Sequence, residues 1–293
     1  MGDLPESTIC RFTFRSTDLD SESTDRRRRS PTMRPGDLFA AHFLDHKAPG
    51  ASAQIAEQLS KDGLVTVAGL ATRDAVRAFA SRIMTISAHR DSDSDGLTTI
   101  RCIPRHAGRP GFAGLGNGEL DPHTERSGLP HPPRLMLLVC SRPADRGGEC
   151  LLTDGRSVHA DLLHHKDGEA ADALSLPRTA YFGAGDGHAA QVLSPHSGGR
   201  MAIRLRFDAL ARWSPMVQPH LPDLKAAALR YQQPLRLEPG QGYLLDNERW
   251  LHARTAFTGD RVHWRALGDP RFALAPGFTP SLHSAHTEAL SWA

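Results

Sequence analysis

From Arg134 onward the chain is a succession of short apolar or β-branched runs separated by turn signals, and this spacing constrains the fold more than any other feature. RLMLLVC, CLLTD, RTAYFG, MAIRLRF, QPLRLE, GYLLDN and RVHWRAL each read as a strand. Many short strands favour a barrel or a sandwich. Two helical insertions interrupt them, one around 157–174 and one at 222–232, where Leu224, Ala228 and Tyr231 share a face. The earlier part of the chain has another period. AQIAEQLSKDG (53–63) sets Ile55, Ala56 and Leu59 on one helical face and stops at a capping glycine. LVTVAGL then reads as a short strand, and Thr72 can cap a second helix carrying Val76, Phe79 and Ile83. A polar loop at 87–96, a strand LTTIRCI and the glycine-rich connection HAGRPGFAGLGNGEL follow. The expected fold class is mainly β with helical insertions (α+β).

At 293 residues and 39% hydrophobic, the chain is long enough for one domain with a full core. Residues 1–34, rich in Ser, Thr, Asp and Arg, are read as a disordered tail, with Met33 as an alternative start, and 35–293 as a single domain. The 35 basic and 33 acidic residues nearly cancel, so the charge calls for no nucleic acid and no anionic membrane. The run Arg26–Arg29 is read as part of a solvated tail. A small-molecule substrate is the expected partner, and the oligomeric state is not legible. Cys10, Cys102, Cys140 and Cys150 form no CxxC pair, which argues against a zinc ribbon or a disulfide framework and fits a reducing cytoplasm. No apolar run approaches the roughly 18 residues of a membrane span.

The sharpest local feature is Asp121-Pro122-His123-Thr124-Glu125. In extended backbone, residues two apart point to the same side, so His123 and Glu125 can converge on one ion. His252, in DNERWLHAR where the chain leaves a sheet, is the candidate third ligand. Two imidazoles and one carboxylate on one face of an iron leave positions for dioxygen and a co-substrate. Arg261 and Arg265, four apart in GDRVHWR, share a strand face and suit an anionic co-substrate and an anionic substrate group. His263 is read as out of step with that pair and facing off the site.

These segments together resemble the taurine dioxygenase and clavaminate synthase-like superfamily of iron(II)/2-oxoglutarate oxygenases. The resemblance rests on HTE (123–125), PPRLMLLVC (132–140), PADRGGECLLTDGRSV (143–158), PGQGYLLDNERWLHARTAF (239–257) and GDRVHWR (259–265). It implies a double-stranded β-helix (jelly-roll) core, with Fe(II), 2-oxoglutarate and dioxygen as the reacting set. His123, Glu125 and His252 match the iron ligands, and Arg261 matches the arginine that pairs with the far carboxylate of 2-oxoglutarate. Arg265 falls on the second arginine of RxxxR, close to substrate or to the other end of the co-substrate. Cys150 stands where many members have a threonine that helps hold 2-oxoglutarate, so Arg261, Thr153 or another hydroxyl must compensate. Glu125 stands where most have aspartate, a form associated with the clavaminate synthase-like branch, and a retained carboxylate disfavours halogenation. The implied reaction is hydroxylation of an amino-acid-like or carboxylate-bearing small molecule, in specialised metabolism.

The glycine-rich segments 105–120 and 183–200 are read as lids, and Arg204 and Arg206 as alternate residues of one strand. His131, His159, His188 and His196 are read as surface or supporting residues, Trp250 and Trp264 as core or pocket wall, and Cys140 as a buried strand residue. Two rivals remain at this stage. One is a zinc hydrolase on the same His, Glu and His, which the missing HExxH disfavours. The other is a jelly-roll binding protein without turnover.

Overall fold

A computed structural model of the chain describes residues 37–281 except 107, 166 and 167; the expected tail at 1–34 lies outside the described residues. The two long N-terminal helices form where the apolar spacing puts them. Ala51–Asp62 turns Ala51, Ile55 and Leu59 inward and stops at Gly63, whose φ of 67° suits glycine and whose N–H donates to the Leu59 carbonyl at 2.9 Å. Arg73–Ile83 starts after Thr72, whose hydroxyl accepts from the Ala75 N–H at 3.2 Å, and it buries Val76, Phe79 and Ile83.

These helices cover one face of a large antiparallel sheet. Its strands run in the order Leu64–Val67, Gly242–Asp246, Leu135–Arg142, Val262–Pro270 and Met84–Ile86, with Thr98–Ile100 also paired to Val262–Pro270. Strand alternation sorts the side chains. Leu137, Val139 and Leu244 pack with Ile55, Leu59 and Phe79 under the helices, whereas Met136, Leu138, Cys140 and Tyr243 face the other way.

A second antiparallel sheet runs Gln233–Leu235, Cys150–Asp154, Trp250–Arg254, Leu120–His123. Leu152, Leu235 and Trp250 from it share one buried cluster with Met136, Leu138 and Tyr243, so the two sheets enclose a common interior. Leu251, on the opposite face of its strand, packs with Val158, Leu162, Leu224 and Ala227 of the helices Gly155–His164 and Leu221–Arg230. The result is a mixed, strand-rich α/β arrangement of helix, sheet, sheet and helix. Among the described residues no helix is long and apolar enough to cross a membrane.

Two local readings change. The insertion at 157–174 is two helices, Gly155–His164 and Glu169–Leu174, separated by a turn in which Gly168 has φ 83°. The run MAIRLRF is a strand only to Ile203: the Arg204 N–H still donates to the Val192 carbonyl in the register of that ladder, but the Leu205 N–H leaves it for the Thr124 hydroxyl. Arg204 and Arg206 therefore do not share a strand face.

Candidate metal centre

The centre begins with strand register. His252 stands directly opposite His123 in the pairing of Trp250–Arg254 with Leu120–His123, and the two rings lie 4.1 Å apart between centroids. Glu125 falls just beyond the end of its strand, so pleating alone does not orient it. Asn247 does: its side-chain oxygen accepts from the Glu125 N–H at 2.7 Å, and its amide donates to the carbonyls of Glu125 and Pro133, both at 2.9 Å. Asn247 is itself held in a fixed turn. On one side Arg134 forks onto the buried Asp246 carboxylate at 2.7 and 2.9 Å; on the other Arg249 forks onto Asp154 at 3.0 and 2.7 Å. The DNER segment thus clamps the start of the strand that carries His252 and the backbone of Glu125 together.

His123, Glu125 and His252 each offer one ligand atom, and those atoms all lie within 4.8 Å of one another. The Nδ1–H of His123 donates to the Asp121 carbonyl at 2.8 Å, which fixes the ring and leaves the Nε2 lone pair free. His252 Nε2 lies 3.8 Å from a Glu125 carboxylate oxygen. Burial, which alone would raise the Glu125 pKa, is overcome by Arg265 first and then by the two histidines, and the carboxyl is held down at about 2. Burial lowers both imidazoles, His252 well below the ordinary value, with His123 adding to that drop and Glu125 opposing it. One carboxylate and two neutral imidazoles need shed no proton to bind a divalent ion, so the donor set fits a metal such as iron(II).

Arg265 donates to a Glu125 oxygen at 2.5 Å, so it reaches the ligand carboxylate itself. Arg261, four residues earlier, is buried; it donates through Nε to the Gly148 carbonyl at 3.0 Å, and its Nη2 lies 3.6 Å from the Cys150 sulfur. It meets no carboxylate among the described residues. Cys150 is a buried thiol whose pKa burial raises against the pull of Arg261, and the Tyr243 hydroxyl lies beside it. Thr153 is spent elsewhere, its hydroxyl donating to the Ala228 carbonyl at 3.0 Å. A cavity of about 320 Å³ between 143–149 and 235–238 reaches Arg261, Cys150 and His263.

His263 corrects the sequence reading. Residues 261, 263 and 265 are two apart, so strand alternation puts His263 on the face of its arginine neighbours. It is buried opposite Cys140, its Nδ1 has no partner, and burial followed by Arg261 and Arg254 holds its pKa well below the ordinary value. His159 is also buried, against Phe278, and is core rather than surface. His131 and His196 are exposed. Arg206 pairs with Asp208 at 2.7 and 2.6 Å, and both influence His123; Arg204 donates to the Leu129 and Pro130 carbonyls and lines a separate cavity with Arg178 and His188.

The sequence reading passed over three further residues. Arg254, two past His252 and so on its face, is buried and bonds only to backbone carbonyls. His89 is brought to the site from the polar loop; burial, then Arg265 and Arg126, lower its pKa to about 4. Arg126 follows Glu125 with φ 57°, a backbone conformation that non-glycine residues adopt at a cost. The HxR spacing carried a signal for Arg254. No local pattern carried one for His89.

Comparison with known proteins comes to the same chemistry by another route. Residues 30–267 match the family model described as "Taurine catabolism dioxygenase TauD, TfdA family". A curated relative, uridine-5'-phosphate dioxygenase of Amycolatopsis sp, is 29% identical over 156 residues, which cover 49% of this chain and 56% of the relative. The matched part thus spans little more than half of that relative's length. Among solved structures, an asparagine oxygenase bound to Fe(II), 3-hydroxyasparagine and succinate aligns with TM-score 0.58 at 19% identity, covering 74% of this chain and 78% of that one. The non-haem iron oxygenase OrfP bound to Fe and α-ketoglutaric acid aligns with TM-score 0.58 at 17% identity, covering 76% and 80%. At these identities the likeness is one of fold.

Proposed function

The chain belongs to the taurine catabolism dioxygenase TauD, TfdA family, and from that membership we propose that it is a non-haem iron(II)- and 2-oxoglutarate-dependent dioxygenase. Its reaction converts 2-oxoglutarate, dioxygen and a C–H bond of a small anionic substrate into succinate, carbon dioxide and a hydroxylated product. The observation that carries this reading is the convergence of His123, Glu125 and His252 within 4.8 Å, together with a buried arginine, four residues before the Arg265 that bonds Glu125, that has no acid partner among the described residues. We read 35–293 as one oxygenase domain whose facing sheets form a jelly-roll core, a reading supported by the likeness to solved oxygenases.

In this proposal His123, Glu125 and His252 hold iron(II), which supplies the site where 2-oxoglutarate and dioxygen react. The protein's own contribution is position and charge. Arg261 pairs with the far carboxylate of 2-oxoglutarate, with Cys150 and the Tyr243 hydroxyl at the same end of the pocket. Arg265 keeps Glu125 ionised and turned toward the histidines, and Asn247 fixes its backbone. We assign to Arg126, half-buried, in no ion pair among the described residues and close enough to influence His89, the role of meeting an anionic substrate group. The substrate class we favour is an amino-acid-like or other carboxylate-bearing molecule; relatives named for asparagine and for a uridine phosphate share an anionic group with it. The zinc-hydrolase and turnover-free readings draw no support from the family match.

Metal-free protein given iron(II) and then 2-oxoglutarate under argon should develop the weak visible charge-transfer band of the chelate. Folded, iron-loaded protein that never shows the band, at any 2-oxoglutarate concentration, contradicts the reaction class.

A further inference from the structure

We propose that Arg254 is a positioning residue that couples occupation of the co-substrate pocket to the glycine-rich connection at 113–118. The inference rests on the reading of Arg261 as the group that holds 2-oxoglutarate. Arg254 is 4% exposed and lies two residues past His252 on the same strand. Its guanidinium donates to the carbonyls of Gly116 at 2.9 Å, Gly114 at 3.4 Å and Gly118, while its buried Nε has no partner. The three carbonyls belong to alternate residues, so one planar fork spans the connection. A second tie lies beside the first, since the Phe257 N–H donates to the Asn117 carbonyl at 2.9 Å.

Phe257 is also what joins this latch to the pocket. The guanidinium carbon of Arg254 lies 4.8 Å from the ring centre and that of Arg261 lies 5.6 Å from it. Neither arginine has a carboxylate partner among the described residues, so two buried cations repel across one aromatic ring. A carboxylate set on Arg261 cancels part of that repulsion and makes the charged Arg254 a better donor to the three carbonyls. Coupling of this kind is reciprocal: a closed connection must tighten 2-oxoglutarate by the same factor by which 2-oxoglutarate tightens the connection. The co-substrate would thereby order the segment that leads into the strand carrying His123.

The test is hydrogen–deuterium exchange at 113–118 in iron(II)-loaded protein under argon, with and without 2-oxoglutarate, alongside calorimetric titration of 2-oxoglutarate. In the wild type the co-substrate should slow exchange there about tenfold, within the usual range of coupling between sites. Arg254→Gln should still bind 2-oxoglutarate, weakened by a similar factor, and lose the protection; Arg254→Lys keeps the charge, cannot span the carbonyls, and should lose it too. Wild-type protein that binds 2-oxoglutarate with unchanged exchange at 113–118 overturns the coupling and leaves the proposed reaction intact, and so does full protection in Arg254→Gln. Should the Gln variant fail to fold, the wild-type comparison alone decides. No binding of 2-oxoglutarate to the wild type would overturn the reaction class and the coupling with it.

Discussion

The two ends of the buried site are built on opposite plans. At the metal end the three ligand side chains are answered within the chain: Glu125 has Arg265 at 2.5 Å, its backbone is bonded on both sides by Asn247, and the histidines are neutral. At the other end Arg254 and Arg261 lie buried with no acid partner among the described residues, next to a neutral His263 whose Nδ1 is without a partner. Unpaired buried charge is costly, and it persists where a ligand completes it. In the proposed reaction the difference separates what stays from what is consumed. A resident ion needs a finished cradle, whereas a co-substrate that is used up at each turnover needs a site whose balance is restored by its arrival.

The comparison can be broken most severely at the metal end. His252→Ala should abolish 2-oxoglutarate-dependent succinate formation and lower iron content while thermal unfolding remains cooperative; turnover persisting with full iron would remove His252 from the ligand set. At the other end, Arg261→Gln should weaken 2-oxoglutarate by about 1.5–3 kcal/mol, the scale of a lost hydrogen bond to a charged group, with iron affinity little changed. Equal losses of both affinities would mean that the two ends are not separate. Asn247→Ala leaves the Glu125 amide and carbonyl buried without partners, at a cost of about 1–3 kcal/mol, and should lower the melting temperature and iron affinity together. An unchanged iron affinity would show that Glu125 holds its place without Asn247. The smallest effect expected is for Cys150→Thr, which exchanges a weak thiol donor for a hydroxyl beside Arg261 and should tighten 2-oxoglutarate by about 0.5–1 kcal/mol. No change in calorimetry would mean that the side chain at 150 does not face the co-substrate.

Much of this was legible in the sequence where the determinants were local. Turn-bounded apolar runs became strands, Thr72 and Gly63 bound their helices, and HTE with the distant His252 met in one cluster. Local pattern failed where tertiary bonds decide. MAIRLRF continues as a strand by composition, yet Leu205 leaves the ladder for the Thr124 hydroxyl. Asn247 looked like context because its partners are more than a hundred residues away in sequence. His89 reaches the site from a polar loop that carries no periodicity at all. His263 is a different kind of miss: its period was readable, and an alternation counted correctly places it beside Arg261.

One strand sets how long such a site can survive heating. Leu120–His123 is the edge of its sheet and meets its neighbour through an irregular register, with His252 opposite His123 and Arg254 opposite Leu120. Edges with few bonds open at lower free energy than central strands. Fraying there carries one histidine away from the other while both helix-covered cores remain intact, so warming should silence the protein before it melts, and cooling should bring it back if the ion has not been lost to solution.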